Sequence, residues 1–283
     1  TAGLSSLDEE EQATFARNIF AGNVYINRST TGAIVRRQPF GGLGKSGFGP
    51  GAKAGGPNYV LQLCHVTPDE GRPRAVQQSA DEEALLRPYQ AHLSEDACRT
   101  LAARLRDYSE ARRTHFHALH DPSRVLGQDN IFRYLPDQHV LLRAEADASL
   151  LDLAASALAA SVLGVRLRIS VSPGFAGPHE SHVYGHPVSV GEPFDLRRQL
   201  PPGGRLRLLG TRTEEHDALA AELGVHIAYA QVLPAGRLEL LHYVREQSVC
   251  IEYHRYGQIP RERARVEAGG SAREQNVEAG GSA

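Results

Sequence analysis

The stretch GNVYINRSTTGAIVRRQPFGGLGKSGFGPGAKAGGPNYVLQL, residues 22–63, decides how the chain is read. A short apolar strand, NVYIN, runs into a loop with eight closely spaced glycines from Gly41 to Gly56. Glycine reaches positive φ at no steric cost and loses the most freedom on folding, so a run this dense needs a reason. The usual reason is close approach of backbone to a ligand or to another chain. Two phosphate-binding readings fail on spacing. Gly44, Lys45 and Ser46 supply the second half of a P-loop, but the position that must be its first glycine is Pro39. Gly42, Gly44 and Gly47 match G-x-G-x-x-G, yet that fingerprint opens a helix, and FGPGAKAGGP cannot form one.

Working outward, SLDEEEQATFARNIFAG (residues 6–22) reads as an acidic-started helix closed by Gly22 and leading into the strand. Beyond Leu63, TPDEGRPRAVQQSADEE is polar and holds Pro and Gly, as a boundary linker does. Ser94 then caps a helix whose Cys98, Leu101, Leu105 and Tyr108 share one face. From about residue 126 strands and helices alternate: HVLLRAEA, the helical SLLDLAASALAASVLG, VRLRISVS, RLRLLG, the helix EEHDALAAELG and VHIAYAQVL. Such an order predicts a parallel α/β sheet. The tail repeats VEAGGSA at 266–272 and 277–283 and is too poor in apolar residues to order itself.

A chain of 283 residues with 41% hydrophobic content holds at least one packed core and has room for two modest domains. The net charge of −2, with acids and arginines interspersed, gives no basis for a nucleic-acid partner. Lys45 and Lys53 are the only lysines. Cys64, Cys98 and Cys250 lack CxxC spacing, which argues against a disulfide framework and a zinc ribbon. No apolar run reaches membrane-span length. Two histidine groups, His115/His117/His120 and His179/His182/His186, are the competing signal; HES-H falls one residue short of HExxH, and no carboxylate or Cys pattern joins either group, so no metal site is expected. The chain contains no Met and opens in mid-pattern at Thr1, which reads as the C-terminal piece of a longer polypeptide.

Together GNVYINR, TTGAIV, QPFGG, SGFGPG and KAGGPNY resemble the C-terminal end of the aldehyde dehydrogenase catalytic domain, and within it the L-glutamate γ-semialdehyde (1-pyrroline-5-carboxylate) dehydrogenases. The motifs cover about a quarter of the chain. The later α/β order, with QDNIFRYLP before it and YHRYG after it, is similar to the extra C-terminal domain of long proline utilization A proteins, a degenerate aldehyde-dehydrogenase-like (Rossmann-like) domain thought to cover the route between two active sites. The resemblance implies an α/β fold with the end of a catalytic domain at 1–66, a linker and helical segment at 67–125, an accessory α/β domain without chemistry of its own at 126–260 and a disordered tail at 261–283.

It also implies oxidation of L-glutamate γ-semialdehyde to glutamate in proline degradation by a cytoplasmic homo-oligomer, through a cysteine thiolate and a glutamate base that the family carries upstream of this segment. NAD would be bound mainly by upstream residues, and FAD would be present only with a fused proline dehydrogenase domain. The alternative is a non-catalytic lid and interaction module. Gly32 and Ala33 match the family's anchor loop for the substrate α-carboxylate, and Phe40 the aromatic that lines the aldehyde's aliphatic part; no residue here matches a catalytic, cofactor or metal position. Arg36 and Arg37 read as an exposed pair. Tyr59–Leu63 would be the last strand of the dehydrogenase domain, part of a flap packing on another subunit or on the extra domain.

Overall fold

The computed structural model describes residues 1–47, 49–67 and 80–254. The N-terminal segment supplies β1 (Ala2–Leu4), helix α1 (Glu9–Asn18) and β2 (Asn23–Ile26). Next come α2 (Ala80–Gln90), α3 (Glu95–Ala111), β3 (Gln128–Pro136), β4 (Val140–Ala144), α4 (Leu150–Val162) and β5 (Arg168–Val171). The chain continues through β6 (His182–Val183), β7 (His186–Val190), β8 (Arg205–Leu209), α5 (Glu214–Leu223), β9 (His226–Ala228) and β10 (Val244–Glu252).

Two sheets result. The larger has the order β6-β7-β5-β4-β8-β9, parallel from β7 to β9, with β6 and β7 closing an antiparallel hairpin. This is the parallel α/β sheet that the alternation predicted. Leu142, Ala144, Ile169 and Val171 face α2, α3 and α4, whereas Leu141, Leu206 and Leu208 face α5 on the other side. Nine of the 13 residues of α4 are buried, and its alanines let it lie close between the sheet and α3. Side-chain oxygens of Ser94 and Ser149 cap α3 and α4, and Gly224 ends α5 at φ +62°, where other residues are strained.

The smaller sheet has the order β1-β2-β10-β3 and joins segments far apart in sequence. β2 pairs in parallel with β10, and β10 pairs antiparallel with β3 from Val244↔Pro136 to Glu252↔Gln128. QDNIFRYLP therefore lies in the same sheet as NVYI, across the divisions drawn from sequence at 66 and 126. One face is apolar: Val24, Ile26, Ile131, Val249 and Ile251 pack with Ala16 of α1.

Two local expectations need correction. Helix α1 starts on the Asp8 cap, whose carboxylate accepts the Glu10 and Glu11 amides, but stops at Asn18 because Ile19 turns extended. Gly22 does not close it; a Cβ there would overlap the Gly41 carbonyl, so glycine is required by the approach of the loop. Tyr59–Leu63 is a 3₁₀ turn rather than a strand. The chain turns through Asn58 with its Leu61 and Cys64 amides bonded locally, and among the described residues no strand pairs with it. The tail repeats and residues 255–257 of YHRYG lie outside the described residues.

Candidate functional site

The second face of the smaller sheet is polar, and the glycine-rich loop lies on it. Alternation sends Asn23 from β2, Glu246, Ser248 and Cys250 from β10, and Asn130 from β3 to that face. Each of these side chains holds loop atoms. Asn23 donates from Nδ2 to the Pro39 carbonyl (3.0 Å) and accepts the Gly41 amide on Oδ1 (3.1 Å). Ser248 Oγ donates to the same Pro39 carbonyl (2.7 Å). Gln38 Nε2 donates to Asn130 Oδ1 and to Cys250 Sγ, the latter at 3.4 Å. Phe40 and Ala54 exchange both backbone hydrogen bonds, at 3.0 and 2.9 Å, so the two ends of the loop close on each other.

Lys53 lies under this closure with no solvent exposure, and its Nζ donates to the Gly41 carbonyl. Burial pushes its amine down to about 8, partly opposed by the Glu246 carboxylate. The Lys53 amide and Asn58 Nδ2 each donate to one Glu246 oxygen at 2.7 Å; Asn58 also donates to the Tyr134 hydroxyl at 2.8 Å and accepts from Arg237 at 2.7 Å. Desolvation raises the Glu246 carboxyl above the usual range despite these donors. Burial likewise raises the Cys250 thiol, which is fully buried and bonded to Arg28 and Gln38. That environment suits a structural thiol and not a nucleophile.

The three residues read from sequence as substrate contacts lie at the outer surface of this loop. Phe40 is 50% exposed although its backbone is fixed on both sides. Gly32 and Ala33 are exposed, and among the described residues their amides donate to nothing. Gly32 has φ +75°. Their loop is tied to the same stretch that pairs with Phe40: the Arg36 amide donates to the Gly55 carbonyl at 3.1 Å, next to Ala54. Arg36 and Arg37 are exposed, as their sequence suggested. The site thus offers free amide donors, a presented ring and a braced backbone. Sequence reasoning missed the bracing residues Asn23, Lys53, Asn58, Asn130, Glu246 and Ser248, because their partners are remote in sequence.

The histidines serve other ends. His115 Nε2 shares a hydrogen bond with the Tyr134 hydroxyl (2.8 Å), His120 Nε2 with the His115 carbonyl (2.8 Å), and His186 Nε2 with Ser161 Oγ (3.3 Å). No group of three potential metal ligands is found among the described residues.

The larger sheet has a strand-order switch between β4 and β8, where open α/β sheets bind dinucleotides. Here that crevice is lined by acidic side chains. Asp147 accepts the Thr211 amide (2.9 Å) and hydroxyl (2.6 Å), and a Cβ on Gly210 would overlap it. Glu145 accepts from Arg143 Nε (2.6 Å) and from His216 (3.0 Å). Two carboxylates and no glycine-rich turn oppose a pyrophosphate, so these residues do not fit a dinucleotide.

The class of protein that this site and fold resemble is the aldehyde dehydrogenase family, whose model matches residues 1–67. Human mitochondrial delta-1-pyrroline-5-carboxylate dehydrogenase is 44% identical over 64 residues, 22% of this chain and 11% of the relative. The particular protein to which more of the chain is similar is the bifunctional protein PutA. That of Salmonella typhimurium is 32% identical over 171 residues, covering 56% of this chain and 12% of its own. The structure of proline utilization A from Corynebacterium freiburgense superposes with a TM-score of 0.68 and 33% identity over 91% of this chain and 23% of that one. The chain therefore spans under a quarter of these relatives' length. The α/β aldehyde-dehydrogenase-type fold and the resemblance read from the motifs are both borne out.

Proposed function

We propose that the chain is the C-terminal part of a dehydrogenase that oxidises L-glutamate γ-semialdehyde to glutamate in proline degradation. The observation that carries this reading is the similarity to a proline utilization A structure through nearly the whole chain, not through the first 67 residues alone. The aldehyde dehydrogenase match supports an oxidoreductase; NAD as the acceptor is our reading, and it is bound mainly by residues outside this chain, since the crevice at β4 and β8 does not fit it. FAD would belong to a fused proline dehydrogenase. In this reading Gly32 and Ala33 donate their free amides to the substrate α-carboxylate, and the Phe40 ring lines its aliphatic part. The enzyme works in the cytoplasm as a homo-oligomer. Exposed Tyr59, Val60 and Leu63 on the 3₁₀ turn offer apolar area for a subunit contact. Residues 126–260 act as an accessory domain, and the relatives favour the dehydrogenase over a stand-alone lid. Among the described residues no helix is long and apolar enough to cross a membrane.

Steady-state assays of the full-length protein test the reading. NADH formation should be much faster with L-glutamate γ-semialdehyde than with aldehydes of equal length that lack the α-carboxylate. Equal rates with both would overturn the substrate assignment.

A further inference from the structure

β10 belongs by sequence to the end of the accessory region, yet three of its alternate residues, Glu246, Ser248 and Cys250, face the loop that presents Phe40. Glu246 reaches furthest along the loop. Its two oxygens accept from the Lys53 amide and from Asn58, on either side of the Ala54–Gly55 stretch. Lys53 is the immediate neighbour of Ala54, which exchanges both backbone bonds with Phe40, and its amine grips the Gly41 carbonyl just beyond Phe40. A continuous chain of donors and acceptors thus runs from one carboxylate to both sides of the presented ring.

We propose that Glu246 is a positioning residue for Phe40: through Lys53 and Asn58 it fixes the Phe40–Ala54 closure and so the fit of the aldehyde. This role rests on the reading of Phe40 as a substrate contact. Charge and acceptor count both matter. A glutamine at 246 keeps one acceptor and turns an NH₂ toward a donor, either the Lys53 amide or Asn58. Converting Asn58 to aspartate as well restores the match, because the glutamine NH₂ then meets a carboxylate that still accepts from Arg237, and the Tyr134 hydroxyl, which accepted from Asn58, turns to donate to it.

The test uses the full-length protein with E246Q, the double variant N58D/E246Q, and E145Q as a partly buried, ion-paired carboxylate of the other sheet. E246Q should lower hydrogen-exchange protection of the Phe40 and Ala54 amides about tenfold and raise KM for the semialdehyde about tenfold with little change in kcat, the loss of one charge-assisted bond. N58D/E246Q should restore both, and E145Q should alter neither even where it lowers the melting temperature. Unchanged protection in E246Q, a failed rescue, or an equal effect of E145Q overturns the proposal. Lost protection with unchanged KM also overturns it. If E246Q does not accumulate folded, E246D, which keeps the charge but retracts both oxygens by one methylene, takes the same measurements. Wild-type protein that does not oxidise the semialdehyde refutes the proposed function, and the exchange data then decide separately whether Glu246 holds the loop.

Discussion

Gly32 and Ala33 sit side by side but answer different questions. Gly32 has φ +75°, where a β-branched residue costs roughly 1–3 kcal/mol of strain, so Gly32→Val distorts the loop for every substrate. On the proposed reading of these amides as the carboxylate anchor, Ala33→Val would crowd the substrate carboxylate without forcing that positive φ at 32. A33V should raise KM for glutamate semialdehyde about tenfold, the value of one charge-assisted hydrogen bond, and leave a simple aldehyde nearly unaffected. Parallel kinetics with the two substrates decide the matter, and equal losses would reduce Ala33 to a packing residue. The motifs made these two positions and Phe40 visible because each keeps its meaning within a few residues of sequence. Glu246, Gln247 and Ser248 carried no such mark. Three polar residues in a row read as a solvated loop, whereas here they are buried, since the glycine-rich loop satisfies one face of β10 while Gln247 donates to the Ala21 carbonyl on the other.

Among the elements, α3, α4 and α5 were legible because their caps and apolar periodicity are local, whereas the mixed sheet was not, because its pairing is set at long range. The buried loop carries a pH signature of its own. Lys53 has a folded pKa near 8 against 10.5 when exposed, so below pH 8 the folded state bears the full cost of burying its charge, about 3 kcal/mol. Between pH 8 and 10.5 the unfolded chain binds more protons, and stability attributable to this group rises with pH. Chemical denaturation across that window should show the stability of wild type rising relative to that of Lys53→Met, since the raised Cys250 thiol and buried tyrosines pull both proteins down alike. A contrasting element-level test is the Arg207–Glu239 pair, 3.2 Å apart with both side chains fully buried. Glu239→Gln leaves a buried guanidinium uncompensated and should destabilise by about 3–5 kcal/mol, read from urea unfolding.

At the scale of the molecule, half-buried histidines contribute to acid sensitivity. Desolvation pushes His115 and His226 down to about 4, and His242 lies well below its ordinary value with Arg207 and Arg205 adding to the effect. Each stays neutral in the fold while the unfolded chain takes up protons below about pH 6.5, so stability is full above that pH and falls from 6.5 toward 4. Urea midpoints measured at pH 7 and pH 5 should differ accordingly, and replacing His226 by Gln should shrink the difference. Residues 1–283 expressed alone should form no NADH from glutamate semialdehyde. Cys250 is buried, the Cys64 and Cys98 thiols donate to the Val60 and Leu93 backbone carbonyls and not to a base, and the crevice between β4 and β8 is lined by carboxylates that oppose a pyrophosphate. Detectable turnover by that chain would show that one of these features has been misjudged.

The place of β10 also matters before the protein is finished. Arg28, just past β2, meets Cys250 of β10 across 222 residues of chain. A ribosome adding about 5–20 residues per second needs roughly 10–45 seconds to span that interval. Throughout it β2 has emerged with β1 on one edge and nothing on the other, and the glycine-rich loop has no polar face on which to settle. A nascent chain in this state carries an open strand edge of the kind that recruits other strands. Protection of that edge during synthesis, by a chaperone or by slow folding of everything upstream, is a demand that the order of the strands writes into the gene.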